Sequence, residues 1–415
     1  MKKKNQSKNV TQYQIQIVRD IECVDWLGVI ARLSGLEFNS NGLQVVKRRF
    51  LNGSESSEQE CQGILGKLTD TRNSILSRLM KEQKLSVVNP TSFQRKEYVR
   101  LDDGWYLAEV AGYDVATLTP MDGEDSGLVA SEDSISNGIV TLNFDDSGDV
   151  ACVRYGDKEL EWKIVEKQFF KKGIFGAKRN CRRKFISGCS YIDGARVVRE
   201  NVFNYSCNSV VEQIALFRDE QKIEYTTRIA IKDAKVGVKI SVVGKDYDDV
   251  AARWQEEDGT VVASNFEGQS FCLIAKQKFQ DIDGDKAFVT EGKGRYVCDY
   301  TICLLDSDWQ DSNVAEVYSG GVNPLIVSDF LPSIRPVVSV ENNAVMVRHV
   351  ELNEDGKYVT ITFKEMYNQA CSSVIKVGFR SKGAYQLDDD GNMIAVTASE
   401  IEFSPLETKK ITFEL

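Results

Sequence analysis

Between Ser57 and Met80 the apolar residues Cys61, Ile64, Leu65, Leu68, Ile75, Leu76, Leu79 and Met80 recur at three- and four-residue steps, which predicts a helix with one apolar stripe. Ser57 and Glu60 open it as a capping box, hydroxyl and carboxylate each satisfying a free backbone N–H. Gly63 and Gly66 each cost such a helix up to about 1 kcal/mol relative to alanine, so it is stable only with its stripe buried against a neighbour. Residues 10–50 give a mixed pattern. Tyr13, Ile15 and Ile17 in "QYQIQIV" alternate like a strand, whereas "VDWLGVIARL" has the spacing of a short amphipathic helix.

From Leu85 onward the period changes to two. "IVTLNF", "VVEQIALF", "KIEYTTRIAI", "VGVKISVV", "SFCLIAK", "YVCDYTICLL", "AVMVRHVEL", "YVTITF", "SVIKVGF" and "KKITFEL" read as strands. Asp102-Asp103-Gly104, Ser147-Gly148-Asp149, Asp258-Gly259, Asp283-Gly284, Asp355-Gly356 and Asp390-Gly391 stand between such runs. Asp-Gly suits tight hairpins because both central residues tolerate positive φ. No helical pattern alternates with the strands, which argues against βαβ units. The chain reads as mainly β: an amino-terminal arm and helical segment over 1–84, a large antiparallel β-sandwich over 85–330 and a small C-terminal β-sandwich over 331–415. The proline-marked stretch "SDFLPSIRP", 328–336, sets the second boundary.

The first boundary is "LSVVNPTSFQRKEYVRL", 85–101. Pro90 lacks an N–H and has a fixed φ, which suits the first residue of a strand or an edge. It also pushes Asn89 to extended geometry, ending the helical trajectory. Arg95 can return its fork of donors to carbonyls or a carboxylate, so it reads as part of a domain junction rather than a substrate contact.

A net charge of -10 opposes adhesion to nucleic acid or anionic membranes, and no segment approaches the roughly 20 apolar residues needed to cross a bilayer. "MKKKNQSKNVTQYQ" has the charges of a signal peptide without its apolar run, so the arm reads as solvated and the protein as cytoplasmic. The ten cysteines contain no C-x-x-C pair, which removes a zinc ribbon and favours reduced, buried thiols. Asp281-Ile282-Asp283-Gly284-Asp285 begins like a calcium loop, but Lys286 and Gly292 occupy the sixth and twelfth places, and "DDDGN", 388–392, reads likewise as a turn. "GKGRY" and "GIFGAKRN" lack the strand-then-helix context of a phosphate loop. "EKQFFKKGIFGAKRNCRRKF", 166–185, interleaves cations with Phe169, Phe170, Phe175 and Phe185. That composition suits single strands or an acidic partner, but a solvated hairpin with its phenylalanines in the core is the simpler reading.

Taken in order, these features resemble the rear half of the α-mannosidases of glycoside hydrolase family 38. Asn89, Pro90, Ser92 and Arg95 match the segment that in this family follows the central helical bundle, with Phe93 where tryptophan is common. "VAGYDVATL" (110–118) looks like its Gly-Tyr strand, and "ISNGIVTLNFDDSGDVACVRYGDKEL" (135–160) and "NSVVEQIALFRDEQKIEYTTRIAIKD" (208–233) are similar to strands of its large β domain. "VTITFKEMYNQACSSVIKV" and "IEFSPLETKKITFEL" resemble its closing strands. The match runs over about 58–415, and its order and spacing carry it. It implies that the large sandwich is a galactose-mutarotase-like supersandwich.

In the family, an amino-terminal α/β domain binds zinc through aspartates and histidines and supplies an aspartate nucleophile. This chain holds one histidine, His349, on the predicted strand "VMVRHVEL", where it reads as an ordinary strand residue. The resemblance therefore implies no catalytic residue, metal ligand or cofactor within the chain. Whether it acts as an enzyme stays open at this level, with inactivity expected for the chain alone. The partners to expect are a separate catalytic chain, whose helices would cover the 61–80 stripe, or a second copy. The alternative is a stand-alone carbohydrate-binding or structural module with a glycan as ligand; Trp105, Trp162, Trp254 and Trp309 are its candidate sugar platforms, although core packing is the simpler use of each.

Overall fold

The computed structural model describes residues 8–38, 41–51, 56–121, 127–161, 165–173, 178–242, 252–254, 260–266, 269–275, 279–282, 285–306, 314–353, 355–387, 393–396 and 399–415. Its first compact unit comprises Met1–Val99, Leu107–Thr119 and Ala315–Leu415, and its second Arg100–Tyr106 and Pro120–Val314.

In the first unit, α1 (Lys8–Leu33) is one continuous helix. The strand-like alternation at 13–17 is overridden because Ile17 belongs to a longer series, Ile17, Ile21, Val24, Leu27 and Ala31, spaced for one helical face and buried. α2 (Asn41–Leu51) follows, then α3 (Glu58–Arg78). The Ser57 hydroxyl accepts from the Glu60 N–H at 3.2 Å, as the capping box predicts. Cys61, Leu68, Ile75 and Leu76 are buried along α3, whereas Met80, read as the end of the stripe, is exposed and opens the short strand Met80–Glu82. The stripe finds its neighbour inside the chain. α1 packs on α3, and both share one core with Val345, Val350, Ile361, Phe363 and Ile411 of the closing strands. The described residues of α1 and α3 thus share their core with the C-terminal sandwich.

That sandwich has a five-stranded sheet, in the order Val345–Leu352, Tyr358–Glu365, Thr408–Glu414, Gly383–Leu387, Met393–Ala395, and a three-stranded one, Val338–Val340, Cys371–Val377, Glu400–Phe403. All of these pairings are antiparallel.

The second unit is the large antiparallel sandwich. Its eight-stranded sheet runs Lys184–Asp193, Arg196–Tyr205, Asn208–Phe217, Lys222–Ile231, Gly294–Leu304, Gln269–Ala275, Thr260–Phe266, Ala252–Trp254. A five-stranded sheet, Lys178–Cys181, Val165–Lys172, Val236–Val242, Asp285–Glu291, Gln280–Ile282, and a meander of five strands from Val129 to Glu161 complete it. Inward residues alternate as the period demands: Val210, Ile214, Leu216, Ile223, Tyr225 and Ile229 share a core with Val238 and Ile240 of the five-stranded sheet. Turns fall where the sequence put them at Ser147-Gly148-Asp149 and Asp355-Gly356, with Gly148 at φ 77° and Gly356 at φ 70°. The turns at Asp258-Gly259, Asp283-Gly284 and Asp390-Gly391 lie outside the described residues. No described helix is long and apolar enough to cross a membrane.

Candidate functional site

The strand Ser86–Val88 pairs with Val115–Thr117 on one side and Ile326–Ser328 on the other, and ends at Asn89. The buried Asn89 amide then organises the turn. Its Nδ2 donates to the carbonyls of Phe93 (2.7 Å) and Ala111 (3.0 Å), and its Oδ1 accepts from the Thr91 N–H (3.1 Å) and hydroxyl (2.7 Å). Pro90 therefore lies inside a side-chain-closed turn between two strands, rather than at the first residue of a strand or on an edge as the sequence suggested; the next strand is Arg95–Leu101. The turn presses on Gly112, where a Cβ would stand 2.1 Å from the Ser92 carbonyl oxygen. Gly112→Ala is accordingly expected to destabilise the chain by about 1–3 kcal/mol, measured as a lower urea midpoint.

Arg95, 4% exposed, uses both kinds of acceptor that the sequence allowed it. Nε donates to Glu97 Oε1 (2.7 Å), Nη1 to the Asn323 carbonyl (2.6 Å) and Nη2 to the Gly320 carbonyl (3.2 Å). The last two lie at the C-terminal end of α4 (Val314–Val322), where free carbonyls and the negative end of the helix dipole favour a cation. The loop and α4 thereby frame a cleft of about 460 Å³. Ser92, Gln94, Lys96, Glu316 and Asn343 present polar groups to it above Phe93. The buried Ser92 Oγ has no hydrogen-bond partner among the described residues.

A second cleft, of about 390 Å³, lies in the other unit and is lined in part by Thr141, Arg154, Tyr155, Gln221 and Asp306. The Tyr155 hydroxyl and the Gln221 amide, the latter at 2.9 Å, both donate to Asp306. Those two bonds hold the Asp306 carboxyl below the usual carboxylate range. Burial and the same carboxylate push the Tyr155 phenol up.

His349 sits on the strand the sequence assigned to it, in an unexpected setting. Its Nε2 is 3.1 Å from Oδ2 of Asp25, a buried carboxylate on α1, and its Nδ1 is 3.8 Å from Glu351 Oε2. Donor atoms of the three residues lie within 4.8 Å of one another. Desolvation pushes the neighbouring Cys23 thiol up to about 12, so it stays protonated. Sequence reading missed Asp25 because it lies 324 residues from its partner. Its position inside the apolar run "VDWLGV" was the available signal.

Trp105 is no open platform. Arg100 and Arg196 each lie 5.4 Å from its ring, Phe217 meets it edge-on, and its indole N–H donates to Asp193 at 3.3 Å. Trp162 and Trp309 lie outside the described residues, and Trp254 is described only as strand backbone.

Five cations of the basic run are paired with carboxylates of the same chain. Lys171 meets Asp233 at 3.5 Å, Lys178 meets Glu291 at 2.9 Å, Lys172 also pairs with Glu291, and Arg183 pairs with Asp149. Phe169 and Phe170 are buried, as the hairpin reading expected, and Phe175 lies outside the described residues. Lys167 is itself buried, 2.5 Å from Glu212 Oε2 and 3.3 Å from Asp149 Oδ1. All ten cysteines are free thiols, of which Cys61, Cys272, Cys298 and Cys303 are buried while Cys189 and Cys207 are exposed.

No family model matches the chain, and neither does any curated protein. Solved structures do. An α-mannosidase from Enterococcus faecalis V583 superposes with a TM-score of 0.72 at 8% identity, over 97% of this chain and 67% of that one. A protein in glycosyl hydrolase family 38 from Enterococcus faecalis gives 0.68 at 8% identity, over 98% and 70%. At such identity the likeness is one of fold, and the fold is that of the C-terminal region of family 38 α-mannosidases.

Proposed function

We propose that the chain is a non-catalytic scaffold of the α-mannosidase type, acting in the cytosol in a carbohydrate-active setting and not itself cleaving the glycosidic bond. The observation that carries this is the fold likeness over 97% of the chain. Retaining hydrolysis needs two carboxyl groups about 5 Å apart facing the sugar. The described clefts instead offer amides, hydroxyls and single carboxylates, which suit holding a sugar rather than cutting it. The purified chain is expected to release no product from an aryl α-mannoside, with or without added Zn²⁺. Saturable turnover that survives repurification would overturn the reading.

A second reading, the stand-alone carbohydrate-binding module, gains from the burial of the α3 stripe by α1. The apolar helix was the reason to expect a separately made catalytic partner, and α1 now covers much of that stripe. If the cleft beside Ser92 holds a sugar, Gln94→Ala and Asn343→Ala should each weaken binding about tenfold, the loss of one good hydrogen bond. Isothermal titration with mannose and mannobiose measures this; equal affinities in wild type and both variants would exclude that cleft.

A further inference from the structure

We propose that Asp25, His349 and Glu351 form a binding site for a divalent transition-metal ion, zinc by the chemistry of the donors, that pins α1 to the C-terminal sandwich. The proposal is independent of the sugar-binding readings. It uses none of the positions for which the family resemblance implies zinc ligands, since none of those maps onto this chain.

The strand carrying two of the donors is re-aimed to make the group. Along Val345–Leu352 the register against Tyr358–Glu365 slips between Val347, opposite Phe363, and His349, opposite Thr362. The slip inverts the alternation. Val345, Val347, Val350 and Leu352 all enter the apolar core, although an unbroken strand would put 345, 347, 349 and 351 on one face. His349 and Glu351 are turned instead to the face they share with Thr362 and Thr360. Asp25 is brought there by α1, which packs against this strand. A regular strand would have sent the imidazole into the core.

The donors suit the ion. The separation of His349 Nε2 and Asp25 Oδ2, 3.1 Å, is close to the roughly 3.3 Å edge of a tetrahedron whose bonds are about 2.05 Å long. Glu351, whose Oε2 lies 3.8 Å from the other ring nitrogen, Nδ1, would turn its 31% exposed side chain towards the ion at Nε2 to become the third ligand, leaving the fourth position to water on the solvent side. One imidazole with two carboxylates favours zinc over magnesium, which prefers an all-oxygen octahedron and keeps its own waters. The ion would replace the hydrogen bond between Asp25 and His349, and its binding would tie residues 324 positions apart.

The test is titration of the full chain with ZnCl₂ by calorimetry, with thermal unfolding followed in parallel. One ion per chain and a higher melting temperature are expected, with no competition from MgCl₂. Co²⁺ in the same site should give a d–d spectrum free of the thiolate charge-transfer band that Cys189 or Cys207 would produce. H349Q is expected to weaken binding at least ~100-fold and E351Q about 10- to 100-fold. Should H349Q fail to fold, E351Q, altered at the more exposed ligand, decides the matter. The proposal is overturned if the folded chain takes up no ion, if only a thiolate spectrum appears, or if both variants bind as tightly as wild type.

Discussion

Replacing Lys167 with methionine is expected to destabilise the chain by about 3–5 kcal/mol, because it strands a carboxylate inside an apolar core. Glu212 has no exposed surface, and its Oε2 is held by Lys167 Nζ at 2.5 Å. Its neighbours along the strand, Val210 and Ile214, are core residues, and its Oε1 has no hydrogen-bond partner among the described residues. The pair also joins the two main sheets, since Lys167 lies on Val165–Lys172 and Glu212 on Asn208–Phe217. Asp149, 3.3 Å from the ammonium, is a second carboxylate and cannot take its place, and the cation that also acts on Glu212, Arg183, is already engaged by Asp149. The double variant K167M/E212L, which removes both charges, should recover most of the loss or exceed wild type, as buried ion pairs often do when exchanged for apolar residues. Urea midpoints of wild type, both single variants and the double variant close the cycle. A K167M variant within about 0.5 kcal/mol of wild type would show that the carboxylate is not confined as the structure places it.

How much of this was legible in the sequence differs from element to element. Alternation and Asp-Gly turns were enough for the sandwiches, because each strand has one inward face and a change of register would bury its polar residues. Glu212 was legible in the same way: in "VVEQIALF" it occupies the inward phase with Val210, Ile214 and Leu216, so the pattern already marked a buried carboxylate. Its partner was not, since Lys167 reads as one more cation in a basic run until the second sheet is laid against the first. α1 was misread at its start because three alternating residues fit a period of two locally, whereas the burial that decides the matter extends to Ala31. The Asp25–His349–Glu351 group was hidden twice over. The histidine's face was reversed by a register slip that leaves no residue signature, and the aspartate comes from the far end of the chain.

Arg95→Met is the other large effect expected, again about 3–5 kcal/mol, for a different reason. The side chain is not part of a charge pair in an apolar core but the shared anchor of two segments. It closes on Glu97 in its own strand and on the Gly320 and Asn323 carbonyls at the end of α4. Removing it leaves those carbonyls without their charged donor and frees the helix from the loop. Arg95→Lys keeps the charge but replaces a planar fork by a single point on a flexible stem, so it should retain only part of the stability. Arg154→Met gives the baseline: its pair with Glu159 is more than half exposed on both sides, and it should change stability by less than about 1 kcal/mol. Arg95→Met should also act on the cleft, because Ser92, Gln94 and Lys96 come from the loop and Glu316 from α4. Amide hydrogen exchange over 314–323 is therefore expected to quicken in R95M while exchange in the strands of the large sandwich stays at the wild-type rate. Unchanged exchange in α4, or an R95K variant as stable as wild type, would mean that the helix is held by its apolar contacts alone and that the arginine fork does not set the shape of the cleft.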